Sequence, residues 1–138
     1  MHQRISFVTL GVRNLDLMKH WYSHKLGWVP MKHDANICYF KLNGIILALF
    51  PVSKLAEDIG VPDEGSGFKS LALAINLDSK DEVDSCIDKL RSQGVQIVRE
   101  PQSTFWGGYR AYISDPEANY WELVYNPKVK LDAHGNII

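Results

Sequence analysis

The sequence predicts an α+β fold in which two tandem βαβββ modules form a curved mixed sheet around a cavity. The first observation is a repeat. Phe7-Val8-Thr9-Leu10-Gly11-Val12, followed by a helix-like stretch closing at Lys25-Leu26-Gly27, is echoed by Ser70-Leu71-Ala72-Leu73-Ala74-Ile75 and a second such stretch closing at Gln93-Gly94. The second is a later echo, Leu47-Ala48-Leu49-Phe50 against Trp121-Glu122-Leu123-Val124. The third is size: 138 residues can bury one proper core, and each repeat alone leaves an apolar face that only its partner can cover. One domain is therefore expected over 1–138, with module one at 4–51, a connector at 52–67, module two at 68–127 and a tail at 128–138.

Residues 4–12 alternate and predict the first strand, because side chains of a strand point to opposite faces in turn. Asn14 is placed to cap a helix over 15–26, with Leu15, Met18, Tyr22 and Leu26 on one stripe that packs on the sheet. Strands follow over 28–33, 36–42 and 45–51, turned at Asp34-Ala35 and at Asn43-Gly44, the second a strong hairpin signal. The stretch 52–67 contains Pro62, Gly65, Ser66 and Gly67 and shows little periodicity, so it reads as a connector and lid. The second helix opens at Ser79-Lys80-Asp81-Glu82, a capping box, and carries Val83, Cys86, Ile87 and Leu90 at the i, i+3, i+4, i+7 spacing. The last strands lie over 96–99, 109–114 and 119–125. Between the final two, Asp115-Pro116-Glu117-Ala118-Asn119 forms a turn in which Asn119 is expected to take the left-handed conformation. A further turn is expected at His134-Gly135-Asn136.

Composition narrows the partners. The formal net charge is −1, with acidic and basic residues interspersed, so there is no basic stripe for nucleic acid and no polybasic anchor for a membrane. Nothing resembles a signal peptide or a membrane span, and a cytoplasmic protein is expected. Cys38, in a strand, and Cys86, on a helical stripe, fit reduced core residues better than a disulfide framework.

Strand parity sorts side chains onto two faces. One carries Val8, Leu10, Val12, Leu47, Leu49, Leu71, Leu73, Ile75, Trp121 and Leu123, all large and apolar, as packing against helices requires. The other carries Phe7, Thr9, Gly11, Ala48, Phe50, Ser70, Ala72, Ala74, Glu122 and Val124. Residues so small and mixed do not fill a solid core, so this face is expected to line a cavity.

This pattern resembles the vicinal oxygen chelate superfamily, the glyoxalase, bleomycin-resistance and extradiol-dioxygenase group. The resemblance covers nearly the whole chain. It is carried by Val8-Thr9-Leu10-Gly11-Val12 with Asn14-Leu15 and Trp21-Tyr22, and by Trp106-Gly107-Gly108-Tyr109 leading to Asp115-Pro116 and Trp121-Glu122. It implies paired βαβββ modules curled round one site. In metal-dependent members the ligands come from the first and last strand of each module, which here are Phe7, Ala48, Ser70 and Glu122. Only Glu122 among these binds a divalent metal well, whereas a catalytic site draws about three ligands from the protein. No metal and no other cofactor is expected. His20 and His24 have the spacing of a helical ligand pair but fall opposite the apolar stripe, facing solvent; His2, His33 and His134 stand alone near termini or turns.

The candidate ligand-binding residues are Phe7, Thr9, Ala48, Phe50, Ser70, Trp106, Tyr109 and Glu122. Glu122 is the sharpest. On an apolar wall its carboxylate would be desolvated and raised in pKa, suiting it as a general acid or base or as an anchor for a ligand amine; the plainer alternatives are pairing with a cross-strand cation or hydroxyl, or a strand that faces water. Ser70 has no histidine placed beside it to activate a nucleophile. Paired glycines and flanking aromatics in Phe105-Trp106-Gly107-Gly108-Tyr109-Arg110 suggest a gate or wall, or a loop whose rings fill the core. The leading expectation is a metal-free module that binds a small apolar or aromatic molecule. The alternatives are a lyase- or isomerase-like enzyme with Glu122 as catalytic base, a metal-dependent glyoxalase- or dioxygenase-type enzyme with shifted ligands, and a subunit whose mixed face a partner covers, with a homodimer plausible through exposed sheet edges.

Overall fold

The structure, a computed structural model, describes residues 7–31, 35–60, 62–65, 67, 69 and 71–138. The chain divides into two compact units, Met1–Gly67 and Phe68–Ile138. The expected mixed strands are present as two hydrogen-bonded sheets, one in each unit.

In the first unit, β1 (Phe7–Val12), α1 (Leu15–Lys25), β2 (Cys38–Lys41), β3 (Ile46–Pro51) and α2 (Val52–Ile59) follow in order. The sheet order is β1-β3-β2, with β1 parallel and β2 antiparallel to the central β3. Asn14 caps α1 as expected: its side-chain oxygen accepts from the Leu17 N–H at 2.9 Å, satisfying a donor that the first turn cannot. The helix buries Met18, Trp21 and Tyr22 over Leu10, Val12, Cys38, Phe40, Leu47 and Leu49. Tyr22 anchors this core, its ring 5.6 Å from Trp28 and 5.8 Å from Phe40. Full burial of each such side chain contributes about 1.5–3 kcal/mol. At Asn43-Gly44 the hairpin closes as read, Leu42 N–H donating to the Ile45 carbonyl at 2.9 Å with Gly44 at φ 77.

Two expectations for this unit are corrected. The strand over 28–33 is reduced, among the described residues, to a single bridge between Pro30 and Phe40, since proline has no N–H to continue a ladder; residues 32–34, which include His33 and Asp34, lie outside the described residues, as do residues 1–6. The connector is not irregular throughout. Val52–Ile59 is a helix closed by Gly60 in the left-handed conformation, its N–H donating to the Ala56 and Glu57 carbonyls. Val52, Leu55, Ala56 and Ile59 have the i, i+3, i+4, i+7 spacing in the sequence, a helical stripe hidden by the turn formers that follow.

The second unit runs β4 (Ala72–Asn76), α3 (Lys80–Ser92), β5 (Gln96–Ser103), β6 (Tyr109–Ser114) and β7 (Tyr120–Tyr125), with sheet order β4-β7-β6-β5. This is a complete βαβββ unit. Ser79 Oγ accepts from the Glu82 N–H at 3.1 Å, while the Glu82 carboxylate reaches back to the Asp78 N–H, one residue before the reciprocal partner expected. Val83, Ile87 and Leu90 are buried against Ala111, Ile113, Trp121 and Leu123. Leu71, expected on this apolar side, precedes β4 and is exposed. β5 runs past its expected end at residue 99 because register shifts carry it onward to Ser103 along the sheet edge, where Pro101 costs no ladder bond.

The turn between β6 and β7 is present, but Ala118, not Asn119, takes the left-handed conformation, at φ 58. Asn119 is buried instead. Asp115 Oδ1 accepts from the N–H groups of Glu117 and Asn119 at 3.0 and 2.8 Å, and Oδ2 accepts from Asn119 Nδ2 at 2.7 Å. The same bonds recur in the tail, where Asp132 takes the N–H groups of His134 and Asn136 and the Asn136 side chain, with Gly135 at φ 77. Aspartate at the first position and asparagine at the fifth thus build the same loop twice. No helix among the described residues is long and apolar enough to cross a membrane.

Candidate functional site

The faces turned away from α1 and α3 carry Phe7, Thr9, Ala48, Phe50 and Glu122, and each unit presents its own set. On the first unit the β-ladder register sets Thr9 beside Ala48, and Ala48 beside Tyr39. Phe7 is 52% exposed and meets Tyr39 edge to ring at a centroid distance of 6.3 Å. Ala48, on the central strand, is buried, whereas Thr9 is exposed. Farther along this face Gly11 lies beside Phe50, and α2 comes down on Gly11. A Cβ at Gly11 would stand 3.2 Å from Val52 Cγ2 and 3.3 Å from Leu55 Cδ2. The helix missed in the sequence therefore covers one end of the face that strand parity marks as open. Phe7, Tyr39, Thr9 and Ala48 are left as an aromatic-edged shelf.

On the second unit Glu122 is the centre of a cluster. The antiparallel register sets it opposite Tyr112, with Ala74 on its other side and Arg110 one row away beside Val124. Tyr112 donates its hydroxyl to Glu122 Oε1 at 3.2 Å. Arg110 brings Nε to 3.6 Å from the same oxygen, and its guanidinium lies 5.2 Å from the centre of the Tyr112 ring. Glu122 is thus a half-buried carboxylate with a cross-strand cation and a hydroxyl. Burial pushes the Tyr112 phenol up, the Glu122 charge and hydrogen bond push it further, and Arg110 and Arg99 pull it back. The phenol is accordingly a hydrogen-bond donor at neutral pH.

The remaining candidates do not join this cluster. Tyr109 shares its face with Ala111 and Ile113, on the α3 side, and donates its hydroxyl to Asp84 of that helix at 2.8 Å with Lys80 over its ring. It ties sheet to helix. Trp106 lies over the Gly108 backbone, so close that a Cβ at Gly108 would fall 1.9 Å from the indole ring; Phe105 beside it is fully exposed. Ser70 lies outside the described residues. His20 and His24 are exposed and stacked on each other at 3.9 Å. Both cysteines are free, their thiols raised in pKa chiefly by burial.

Tyr39, Arg110 and Tyr112 were not singled out by the sequence reading. Their signal is register: a turn centred on Glu117 pairs residue 112 with 122 and 110 with 124, and counting outward from it finds both partners of Glu122.

The four ligand positions implied by the resemblance do not fit a chelated metal. Phe7 and Ala48 have no donor atoms, Ser70 offers a neutral hydroxyl, and Glu122 is engaged by Arg110, a cation that competes with a metal for the carboxylate. No cluster of three or more His, Cys, Asp or Glu side chains suited to a metal occurs among the described residues.

Comparison with known proteins accords with this architecture. A glyoxalase-related enzyme from Fulvimarina pelagi is 32% identical, with a TM-score of 0.88 over 99% of this chain and 98% of that one. A glyoxalase/bleomycin resistance protein/dioxygenase from Nocardioides shares the fold at 23% identity and a TM-score of 0.81, covering 96% and 91% of the two chains. A lactoylglutathione lyase from Agrobacterium tumefaciens does so at 21% identity and a TM-score of 0.72, covering 91% and 95%. The model of one family matches residues 4–123, and with that match the chain belongs to the Glyoxalase/Bleomycin resistance protein/Dioxygenase superfamily.

Proposed function

We propose that this protein binds a small apolar or aromatic molecule without a resident metal and performs no chemistry on it. The observation that carries the reading is the state of Glu122. The one strong donor among the implied ligand positions is held by Arg110 and Tyr112 instead of standing free for a metal. The Phe7 ring, exposed and set edge-to-ring against Tyr39, supplies apolar aromatic surface for such a ligand. A panel of planar apolar compounds, titrated against the protein in the presence of a chelator and followed by thermal unfolding, tests this. Compounds that raise the melting temperature equally with and without chelator support it; stabilisation that vanishes with chelator refutes it.

A second reading rests on the geometry at Glu122. Both partners meet Oε1, which leaves Oε2 as the atom to face a ligand, and a lyase- or isomerase-like enzyme would use it as the base. Under that reading Glu122→Gln abolishes turnover while binding survives. Under the binding-module reading there is no turnover to lose.

A further inference from the structure

We infer that the second unit's open sheet face binds a carboxylate ligand of its own, an aromatic or aliphatic acid whose anionic end is received by Arg110. This rests on the binding-module reading and adds the chemical class of the ligand.

Three observations converge on it. Arg110 is unevenly satisfied. Its Nε faces Glu122 at 3.6 Å, while Nη1 is buried with no hydrogen-bond partner among the described residues. A buried guanidinium N–H without an acceptor is costly, and natural structures seldom leave one so unless something fills the place. The charge of the face is also unbalanced. Arg99 stands opposite Tyr112 on β5, so Arg99 and Arg110 face the single carboxylate of Glu122. The other described residues along these rows, Ala72, Ala74, Asn76, Gln96, Gln102, Ser114, Tyr120 and Val124, are uncharged. Glu100, the neighbouring acid on β5, is paired with Arg91 of α3. Lastly, there is room beside the cluster, because Ala72 and Ala74 on the edge strand β4 are both exposed and small.

Guanidinium and carboxylate match in shape as well as charge, forming parallel N–H···O bonds that an ammonium cannot reproduce. Glu122 lies on the Nε side of Arg110 and the Tyr112 ring on one face of it. The side chain is 19% exposed, and a turn about its long stem brings Nη1 to an incoming oxygen. The carboxylate then neutralises the excess positive charge, and the apolar remainder of the ligand lies along the alanine edge.

The test compares benzoate and 2-naphthoate with benzamide and 2-naphthamide, each titrated by calorimetry against the protein and against Arg110→Lys and Arg99→Gln. The acids are expected to bind at least roughly tenfold more tightly than their amides. Arg110→Lys keeps the charge but loses the fork and should erase most of that preference, while Arg99→Gln, at an exposed position, should weaken acid binding by a smaller, salt-dependent factor. Amides that bind as well as acids would overturn the carboxylate inference and leave the binding-module reading standing. A preference for acids that survives Arg110→Lys unchanged would also overturn it, as would failure of both acids to bind at millimolar concentration. Acid binding that requires added divalent metal would overturn the binding-module reading itself.

Discussion

Arg110 and Glu122 meet across β6 and β7 with Nε 3.6 Å from Oε1, their side chains only 19% and 22% exposed. They are not direct ladder partners; the contact is diagonal, and Tyr112, which is the direct partner of Glu122, lies between the two with its hydroxyl on the same oxygen. Two side chains therefore converge on one acceptor atom of a third. Such a cluster is a coupled unit, and removing one member leaves another half-buried polar group short of a partner.

Glu122→Gln keeps the shape and removes the charge that holds Arg110; a loss of about 1–2 kcal/mol is expected. Tyr112→Phe should cost about 0.5–1.5 kcal/mol. Because the ion pair and the hydrogen bond both end on Oε1, the double variant should lose less than the sum, which urea midpoints of the four proteins would reveal. Strict additivity would show that the three groups do not act together.

Gly11 and α2 are coupled by contact. A Cβ there meets Val52 Cγ2 at 3.2 Å, Leu55 Cδ2 at 3.3 Å and the Val52 Cα at 3.4 Å. Gly11→Ala demands a shift of a few tenths of an ångström, whereas Gly11→Leu has to displace the helix. The leucine variant is expected to lose about 1–3 kcal/mol by denaturant unfolding, the alanine variant clearly less. Hydrogen exchange over 52–59 should rise in the leucine variant. Unchanged exchange there would mean that α2 is not seated on Gly11.

The Asp115–Asn119 loop sets Ala118 at φ 58, where its twin in the tail has Gly135 at φ 77. A Cβ in the left-handed region costs about 1–2 kcal/mol, and the greater freedom of glycine in the unfolded chain returns part of that. Ala118→Gly should therefore stabilise the protein by about 0.5–1 kcal/mol, read from the urea midpoint. Destabilisation would show that the Ala118 methyl contributes packing that outweighs the strain.

Alkaline stability should depend on two phenols. Tyr112 is raised first by burial and then by Glu122, and Tyr109 first by its hydrogen bond to Asp84 and then by burial. The folded protein holds these protons to higher pH than the unfolded chain does. Their contribution is full below about pH 10, the ordinary phenol value, and is lost as pH rises beyond it. Against the parent protein, Tyr109→Phe and Tyr112→Phe should each show a shallower fall in urea midpoint above about pH 10. An unchanged slope would place both phenols in ordinary surroundings.

Much of the fold is legible in the sequence because it is written locally. Asn14 and Ser79 announce α1 and α3 through side chains that bond within the next turn, and Asn43-Gly44 fixes a hairpin within four residues. What escapes is set by longer-range competition. The stripe of α2 is only eight residues long, and Pro62, Gly65 and Gly67 downstream give the whole segment the look of a loop. In the Asp115 loop asparagine has the better intrinsic preference for φ > 0, yet its side chain bonds Asp115 and the strain passes to Ala118. Strand parity puts Phe7, Thr9, Ala48 and Glu122 on the faces away from α1 and α3, and the same parity along β6 sets Tyr109 with Ala111 and Ile113 on the helix side, where it bonds Asp84. The partners of Glu122 depend on register, a property of two strands and the turn between them.

On the proposed function, the Glu122 carboxylate serves Arg110 and Tyr112 and not a metal. Metal content of the protein purified without chelator, followed by thermal unfolding on adding back zinc, nickel, manganese and ferrous ions, tests it most directly. No stoichiometric metal is expected, and no shift in melting temperature that depends on Glu122. A stoichiometric metal, or a stabilisation by one of these ions that Glu122→Gln removes, would contradict it.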